Sequence, residues 1–173
     1  VIPVTAKVDE SGAFTLKRLA AAPYDLALPS VPEGTYIKSV TFNGRDAMGK
    51  ELECPPGGNA TLRIVLGTDG GQVEASVSRE DKAVSDATVV LLPAAPDQRH
   101  AEAVRKGSTD ASGKATLKDV PPGDYLAFAW EKVEDDAWFD PDFLKGVESQ
   151  GAKVKVGSKG KETVELKAIA EKI

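Results

Sequence analysis

The same amino-acid pattern occurs twice in this chain, and the second copy lies 101 residues after the first. Residues 9–17 read DESGAFTLK and residues 110–118 read DASGKATLK. The correspondence continues without a gap as far as Tyr24 and Tyr125. Self-similarity over such a period is typical of a duplicated folding unit, so the chain is predicted to contain two copies of one module.

The segments around the repeat indicate where one copy ends and the next begins. Residues 61–64 (TLRI) match residues 163–166 (TVEL), now at an offset of 102. Between the copies, residues 67–71 (GTDGG) form a glycine-rich turn signal. We therefore predict one module over 1–67 and a second over 71–169, joined by a very short linker.

The first copy lacks the beginning that the second copy has. From Gly71 onward, 39 residues precede Asp110, whereas only 8 residues precede Asp9. The opening strands of the first module are therefore predicted to be missing from this chain. Closely spaced apolar residues at the start favour a beginning inside a structured region, either after a removed leader or within a longer protein. These residues are Val1, Ile2, Val4 and Val8.

Hydropathy patterns predict strands over most of the chain. Residues 72–78 (QVEASVS) alternate apolar and polar side chains, as a half-buried strand does. Residues 88–92 (TVVLL) are nearly all apolar, which favours a central strand. Short strands separated by Gly and Pro turns predict an all-β chain of two antiparallel β-sandwiches. In the second module, residues 131–147 are predicted to form an insert with a short helix that starts at Asp140 before Pro141.

The repeated segment predicts a turn, a strand and a corner. In the pattern D-x-S-G the aspartate accepts a backbone N–H two residues further on, and the glycine supplies a positive φ. A strand (FTLK or ATLK) is expected to follow. Residues 121–125 (PPGDY) then predict a rigid corner, in which the glycine takes the strained backbone angle and the tyrosine hydroxyl bonds back to the chain. The residues predicted to form these structural motifs are Asp9, Gly12, Tyr24, Asp110, Gly113, Gly123 and Tyr125.

These motifs carry a family resemblance. Residues 108–130 (STDASGKATLKDVPPGDYLAFAW) resemble the carboxypeptidase regulatory-like domain, a transthyretin-like β-sandwich with a carbohydrate-binding-like fold. Residues 70–93 match the start of that family. In the first module AAAPY replaces the Pro-Pro-Gly-x-Tyr pattern, whereas residues 31–47 are similar to a hairpin in tandem copies from secreted bacterial proteins, notably acidobacterial ones. The resemblance implies two tandem transthyretin-like or immunoglobulin-like sandwiches.

The resemblance also implies a role and a location. Domains of this family are usually non-catalytic parts of larger exported, surface or outer-membrane-associated proteins. The chain is therefore expected outside the cell or at the cell surface, and it is not expected to be an enzyme. The fold alone does not assign a ligand, because one fold serves many functions.

Composition and charge argue against several functions. A net charge of -5 and a pI near 5.0 disfavour binding to nucleic acid. No apolar run reaches the ~18 residues of a membrane helix, so membrane insertion is not expected. One cysteine and one histidine, Cys54 and His100, are too few for a structural zinc site. Their polar and turn-rich surroundings disfavour a catalytic Cys–His pair, and no cofactor is expected.

The predicted insert carries two candidate ligand sites. Its carboxylates are the oxygen ligands that calcium prefers, although the spacing lacks the EF-hand pattern and favours a solvated acidic loop. The candidate calcium ligands are Asp135, Asp136, Asp140 and Asp142. Its aromatic side chains form either a platform on which a glycan stacks or a satellite core that holds the insert on the sandwich. The candidate platform residues are Trp138, Phe139 and Phe143.

The sequence favours a non-enzymatic structural or interaction module over a carbohydrate-binding module. A sandwich without its first strands exposes unpaired backbone along an edge. The upstream part of the same polypeptide, or a neighbouring identical subunit, is expected to supply the missing strand. In the second case head-to-tail repetition would build a filament. A glycan remains the alternative partner.

Overall fold

The computed structural model describes residues 3–28 and 30–170, and these residues are predominantly β. The predicted all-β class with antiparallel sheets is confirmed. Two residues of the apolar start, Val1 and Ile2, lie outside the described part of the chain. The strands are β1 (Pro23–Tyr24), β2 (Tyr36–Phe42), β3 (Arg45–Asp46), β4 (Leu52–Glu53), β5 (Leu62–Gly67), β6 (Gly71–Arg79), β7 (Lys82–Ala83), β8 (Thr88–Pro93), β9 (Arg105–Ser108), β10 (Lys114–Val120), β11 (Gly123–Trp130), β12 (Ala152–Val156) and β13 (Lys161–Lys167).

The chain divides into two compact units. The first consists of Val1–Pro29 and Val40–Arg63, and the second of Ser30–Ser39 and Ile64–Ile173. The second unit therefore takes in a segment of the region that the sequence analysis assigns to the first module. The module boundaries at 67 and 71 remain a prediction.

The second unit is a β-sandwich of two four-stranded sheets. One sheet has the order β10-β6-β13, with β7 also paired to β6, and the other has the order β12-β11-β8-β9. All pairings are antiparallel except that of β13 with β6, which is parallel. Strand β6 thus has a long partner on each side and lies in the middle of its sheet.

The main core of this unit lies between the two sheets. Strand β6 contributes Val73, Ala75 and Val77, and the polar residues between them point outward, as the alternating pattern predicts. Strand β8 is buried on both faces, because Val89 and Leu91 belong to the main core while its other apolar residues face a second cluster. The nearly continuous apolar sequence of β8 follows from this position.

The second cluster covers the outer face of the sheet that contains β8 and β11. Phe128 and Trp130 from β11 pack there against Trp138 and Leu144 from the insert. The insert contains the helix α1 (Pro141–Lys145), and the prediction of a short helix is confirmed. Asp140 caps it, since its carboxylate accepts the backbone N–H groups of the second and third helical residues. No described helix is long and apolar enough to span a bilayer.

Tyr36 explains why a segment before β5 belongs to the second unit. The ring is 4% exposed, and its hydroxyl donates a 2.8 Å hydrogen bond to Asp69 Oδ1. The ring lies so close to Gly67 that a Cβ at this position would be 2.3 Å from the ring carbon Cζ. Burial and the Asp69 carboxylate raise the pKa of the Tyr36 hydroxyl to about 12.

The first unit has a much smaller core. A two-stranded sheet within it pairs β1 with β4. The chain's remaining sheet has the order β3-β2-β5, and its strands β2 and β5 each contain residues of both units. Among the described residues of this unit, the buried hydrophobic ones are Val40, Ala47 and Leu52. A unit that buries so few apolar side chains gains little stability from hydrophobic burial.

One strand prediction is wrong. Residues 14–17 (FTLK) form no strand, although the matching residues of the second copy belong to β10. The physical reason is the partner, because β10 pairs with β6 and the first copy has no counterpart of β6 among the described residues. A strand needs a neighbour to satisfy its backbone hydrogen bonds, whatever its own propensity.

Candidate interaction edge

The turn of the second copy has the predicted hydrogen bonds. Asp110 Oδ1 accepts the backbone N–H of Ser112 at 2.8 Å and that of Lys114 at 3.0 Å, as well as the Ser112 hydroxyl at 2.7 Å. Gly113 has a φ of 74°. The backbone N–H of Lys114, together with Ser112, lowers the pKa of the Asp110 carboxyl.

The first copy repeats this turn atom for atom. Asp9 Oδ1 accepts the backbone N–H groups of Ser11 and Ala13 at 2.8 and 2.9 Å, and the Ser11 hydroxyl at 2.6 Å. Gly12 has a φ of 84°. The Ser11 hydroxyl is the main cause that lowers the pKa of the Asp9 carboxyl, followed by the Ala13 N–H. The predicted role of both aspartates in the turn agrees with these contacts.

A second repeated feature was not predicted from the sequence. Arg18 and Asp119 both have a positive φ, of 61° and 53°. In the second copy this residue lies within an irregularity of the β10–β6 pairing, between Leu117 and Val120. A bulge of this kind bends the strand before the corner. Aspartate tolerates the left-handed region whereas arginine rarely adopts it, so only the alignment of the two copies could have indicated Arg18.

The predicted strain at Gly123 is not observed. The described residues with a positive φ do not include Gly123, which begins strand β11 in extended conformation. A Cβ at this glycine would meet the nearest atom, Cε2 of Tyr125, at 3.6 Å, an ordinary contact. The left-handed angle is instead taken by Asp119, which lies in the irregular part of the β10–β6 pairing, two residues before the corner begins at Pro121.

The tyrosine corner is present in both copies. The Tyr125 hydroxyl donates a 2.7 Å hydrogen bond to the carbonyl of Pro121, four residues earlier. The Tyr24 hydroxyl interacts in the same way with Ala20, donating to its carbonyl at 3.3 Å and accepting its N–H at 3.0 Å. Tyr125 is 4% exposed, and its burial raises the pKa of its hydroxyl to about 12.

The strands that follow the corners also pair in the same register. Tyr24 is opposite Leu52 in the β1–β4 pair, and Tyr125 is opposite Val154 in the β11–β12 pair. The two tyrosines differ by 101 positions and their partners by 102, which are the offsets that the sequence repeat shows. Both copies therefore share a turn, a positive φ at the matching residue, a corner and a strand pair.

The copies differ in the strands that pair with the opening strands β6 and β8 of the second copy. Strand β10 pairs with β6, and β9 pairs with β8. The corresponding residues in the first copy are 13–19 and 4–7, and neither segment forms a strand with any described residue. We call residues 4–19 the open edge.

Side chains along the open edge keep the alternation of a strand that covers a core. Phe14, Leu16 and Leu19 are half-buried, and the residues between them are exposed. The alternation skips one residue at Arg18, where φ is positive. The matching residues in the second copy, Ala115, Leu117 and Val120, are fully buried. The inward face of the edge is therefore formed but only partly covered.

Two apolar residues at the start of the open edge are exposed. Val4 is 44% exposed and Val8 is 62% exposed. The residue that matches Val8 is Thr109, which is 3% exposed. Its hydroxyl donates a hydrogen bond to the carbonyl of Val84 and accepts one from the backbone N–H of Ala87. Both of these partners lie in the opening segment of the second copy, which the first copy lacks.

The candidate glycan platform is not assembled at the surface. Trp138 is 1% exposed, and its ring stacks on Trp130 with the centroids 6.5 Å apart. The Nζ of Lys106 lies 5.6 Å from the centroid of the Trp138 ring. Phe139 and Phe143 are half-buried and pack against the same cluster. A buried ring offers no face to a sugar, so these residues act as the satellite core; glycan binding elsewhere stays a prediction.

The predicted calcium ligands are engaged separately. Asp135 Oδ1 accepts from Lys106 Nζ at 2.8 Å and Asp142 Oδ1 from Lys145 Nζ at 3.0 Å. Asp140 caps α1, and Asp136 is exposed at a positive φ of 68°. Among residues 3–28 and 30–170, no group of three or more acidic, histidine or cysteine side chains could hold a metal ion. The four aspartates therefore do not form a calcium site in this structure.

Comparisons with known proteins add little. No protein-family model matches the chain, and no curated protein matches it significantly. Among solved structures, the major pilin subunit BcpA of Bacillus cereus aligns with 77% of this chain at 14% identity and a TM-score of 0.36. The aligned part covers 56% of that pilin, so this chain spans little more than half of it. At this level the match assigns neither a family nor a function.

Proposed function

We propose that this chain is a non-catalytic structural or interaction module of a larger exported or cell-surface protein, and that a strand from another polypeptide segment completes its first copy. The observation that carries the proposal is the open edge. It contains a complete aspartate turn and leads into a tyrosine corner, yet it has no strand partner among the described residues.

The second copy supports the proposal because it indicates what is missing. Its turn and corner are the same, and its β10 is held by β6 while its β9 is held by β8. Both of these partners lie within residues 71–93, which have no equivalent in the first copy. The inward face of the open edge is apolar, and an apolar face is stable only when another element covers it.

The proposed family is the carboxypeptidase regulatory-like domain, and the proposed location is outside the cell or at its surface. The D-x-S-G turn and the Pro-Pro-Gly-x-Tyr corner support the family. The upstream part of the same polypeptide is the proposed source of the strand, and a neighbouring identical subunit, which would produce a filament, is the second source.

A chimera tests the proposal directly. A copy of residues 71–109 would replace residues 1–8, so that the copied Thr109 is followed at once by Asp9. We expect amide hydrogen exchange over residues 13–19 to slow markedly and the thermal unfolding of the first unit to shift upward, since the edge then has its partner. The shift is measured by exchange mass spectrometry and calorimetry.

A matched control separates strand pairing from mere extension of the chain. In the control chimera the copied positions Val73 and Val77 carry aspartate, which removes the apolar face of the donated strand and leaves its length unchanged. Slow exchange in the first chimera and fast exchange in the control are the expected results. Equal exchange over 13–19 in both chimeras and in the parent chain would show that the open edge does not accept a strand.

A further inference from the structure

The pairing of β10 with β6 gives the register in which a strand would dock on the open edge. In the second copy, Leu117 is opposite Val73 and Ala115 is opposite Ala75. All four side chains are buried in the main core. Directly opposite residues of an antiparallel pair have Cβ atoms about 4.5–5.5 Å apart, so their sizes must be compatible.

The first copy changes the edge residue in one of these two pairs. Leu16 keeps the leucine of Leu117, whereas Phe14 stands where the second copy has Ala115. An incoming strand therefore meets a large ring at one inward position and a leucine at the next. The space opposite Phe14 suits a small residue, and that opposite Leu16 suits a β-branched aliphatic residue, as Val73 does in β6.

The outward side of the edge adds a charge preference. Thr15 and Lys17 are exposed on this side. In the second copy Thr116, the match of Thr15, is opposite Glu74. A carboxylate placed opposite Thr15 would be a diagonal neighbour of the Lys17 ammonium group, within reach of a long side chain.

We propose that the open edge binds, in antiparallel orientation, an extended segment with a small residue opposite Phe14, a β-branched aliphatic residue opposite Leu16 and an acidic residue opposite Thr15. This inference rests on the proposed function and specifies the partner. Binding of this type adds a strand to an existing edge, in which the backbone supplies affinity and alternate side chains supply specificity.

A second copy of the chain is a poor donor of this segment. Strand β6 has the required sequence, but β10 occupies one of its edges and β13 the other. Its inward residues, such as Val73 at 0% exposure, are buried in its own sandwich. A neighbouring copy would have to open its second unit to donate β6, so a separate unpaired segment is the occupant that the geometry favours.

The test uses the full chain and two synthetic peptides. The first peptide, GQVEASVSR, copies Gly71–Arg79. The second, GQAEVSVSR, exchanges the first valine with the first alanine, so composition and alternation are unchanged but valine is opposite Phe14. We expect the first peptide to bind about tenfold more tightly, because overpacking opposite the ring is costly. Affinity is measured by fluorescence anisotropy and location by hydrogen exchange over residues 13–16.

Protein variants test the register. Leu16→Lys should abolish binding, whereas Thr15→Lys, on the outward side of the same segment, should retain it. Phe14→Ala should remove the discrimination between the two peptides, since an alanine there accommodates valine opposite. Circular dichroism of each variant confirms that the second unit remains folded.

The outcomes separate this inference from the proposed function. Equal affinity of the two peptides, or binding without protection of residues 13–16, would overturn the inference. If the chimera closes the edge and neither peptide binds, the inference fails while the proposed function stands. If the edge is protected without peptide and light scattering shows a mass that grows with concentration, a second copy is the occupant and the inference is overturned.

Discussion

A single carboxylate organises the turn at the start of each repeated segment. The Asp110 carboxylate accepts two backbone N–H groups and a hydroxyl, and these bonds favour its charged form. Asp9 makes the same set of contacts in the first copy. Because both carboxyl pKa values are lowered from the ordinary value of an aspartate, the turns are acid-sensitive features of the chain.

Acid should weaken the second unit through Asp110. A carboxyl whose pKa is lower in the folded state contributes stability above its unfolded pKa, and this contribution is lost as the pH falls through the folded pKa. We therefore expect Asp110→Asn to lower the thermal midpoint of the second unit at pH 6, and the difference from the parent chain to shrink as the pH falls below 3.8.

Calorimetry at pH 6 and at successively lower pH measures this difference. Asp9→Asn serves as the comparison, because it removes the same charge from the same turn in the unit with the smaller core. It should leave the midpoint of the second unit unchanged. A pH-independent effect of Asp110→Asn would contradict the assigned role of the charge.

At the scale of single residues, the sequence predicts local backbone geometry correctly where one side chain determines it. The aspartate turns, the tyrosine corners and the Asp140 cap depend on hydrogen bonds over two to four residues, and sequence spacing specifies these directly. The left-handed angle at Arg18 could not be predicted in this way. Arginine rarely adopts this region, so the residue itself carries no signal for it.

At the scale of elements, the strands whose partners are present agree with the sequence patterns. Strand β6 alternates because one of its faces meets the core and the other faces solvent. The FTLK segment has the same local pattern, yet it forms no strand. Strand formation depends on a neighbour that may lie anywhere in the chain, and the local pattern does not report whether that neighbour exists.

The insert is the other element whose environment the sequence left open. From the sequence, its aromatic residues fit either an exposed platform or a buried cluster. A stretch with one short turn of helix has no hydropathy periodicity that distinguishes the two. In the structure Trp138 is buried, because it packs on the β11 residue Trp130 and beside the helix residue Leu144.

Removal of the Trp138 ring should destabilise the second unit strongly. Trp138→Ala leaves a cavity on the outer face of the β8–β11 sheet, and truncation of a buried large aromatic side chain costs about 3–5 kcal/mol. Urea denaturation monitored by circular dichroism measures the change in unfolding free energy. Phe139→Ala, at a half-buried position of the same insert, should cost clearly less. A change of less than about 1 kcal/mol for Trp138→Ala would contradict the satellite core.

At the scale of the whole chain, one folding pattern occurs twice, and the residues that match 71–101 of the second copy are absent from this sequence. Two copies share a turn, a corner and the register of a strand pair, although only the second has a sandwich of two four-stranded sheets. The sequence repeat indicated this relationship. The first copy keeps its turn and corner without the missing strands because their hydrogen bonds are local and do not depend on the sheet.

Hydrogen exchange of the unmodified chain tests whether the open edge lacks a strand partner. The measurement compares residues 13–19 with residues 114–120 at a concentration where light scattering gives the mass of one chain. The account predicts strong protection over 114–120, where β10 is paired with β6, and exchange near the unprotected rate over 13–19. Comparable protection of the two segments in the monomer would show that the first copy is closed without a donated strand and would contradict the account.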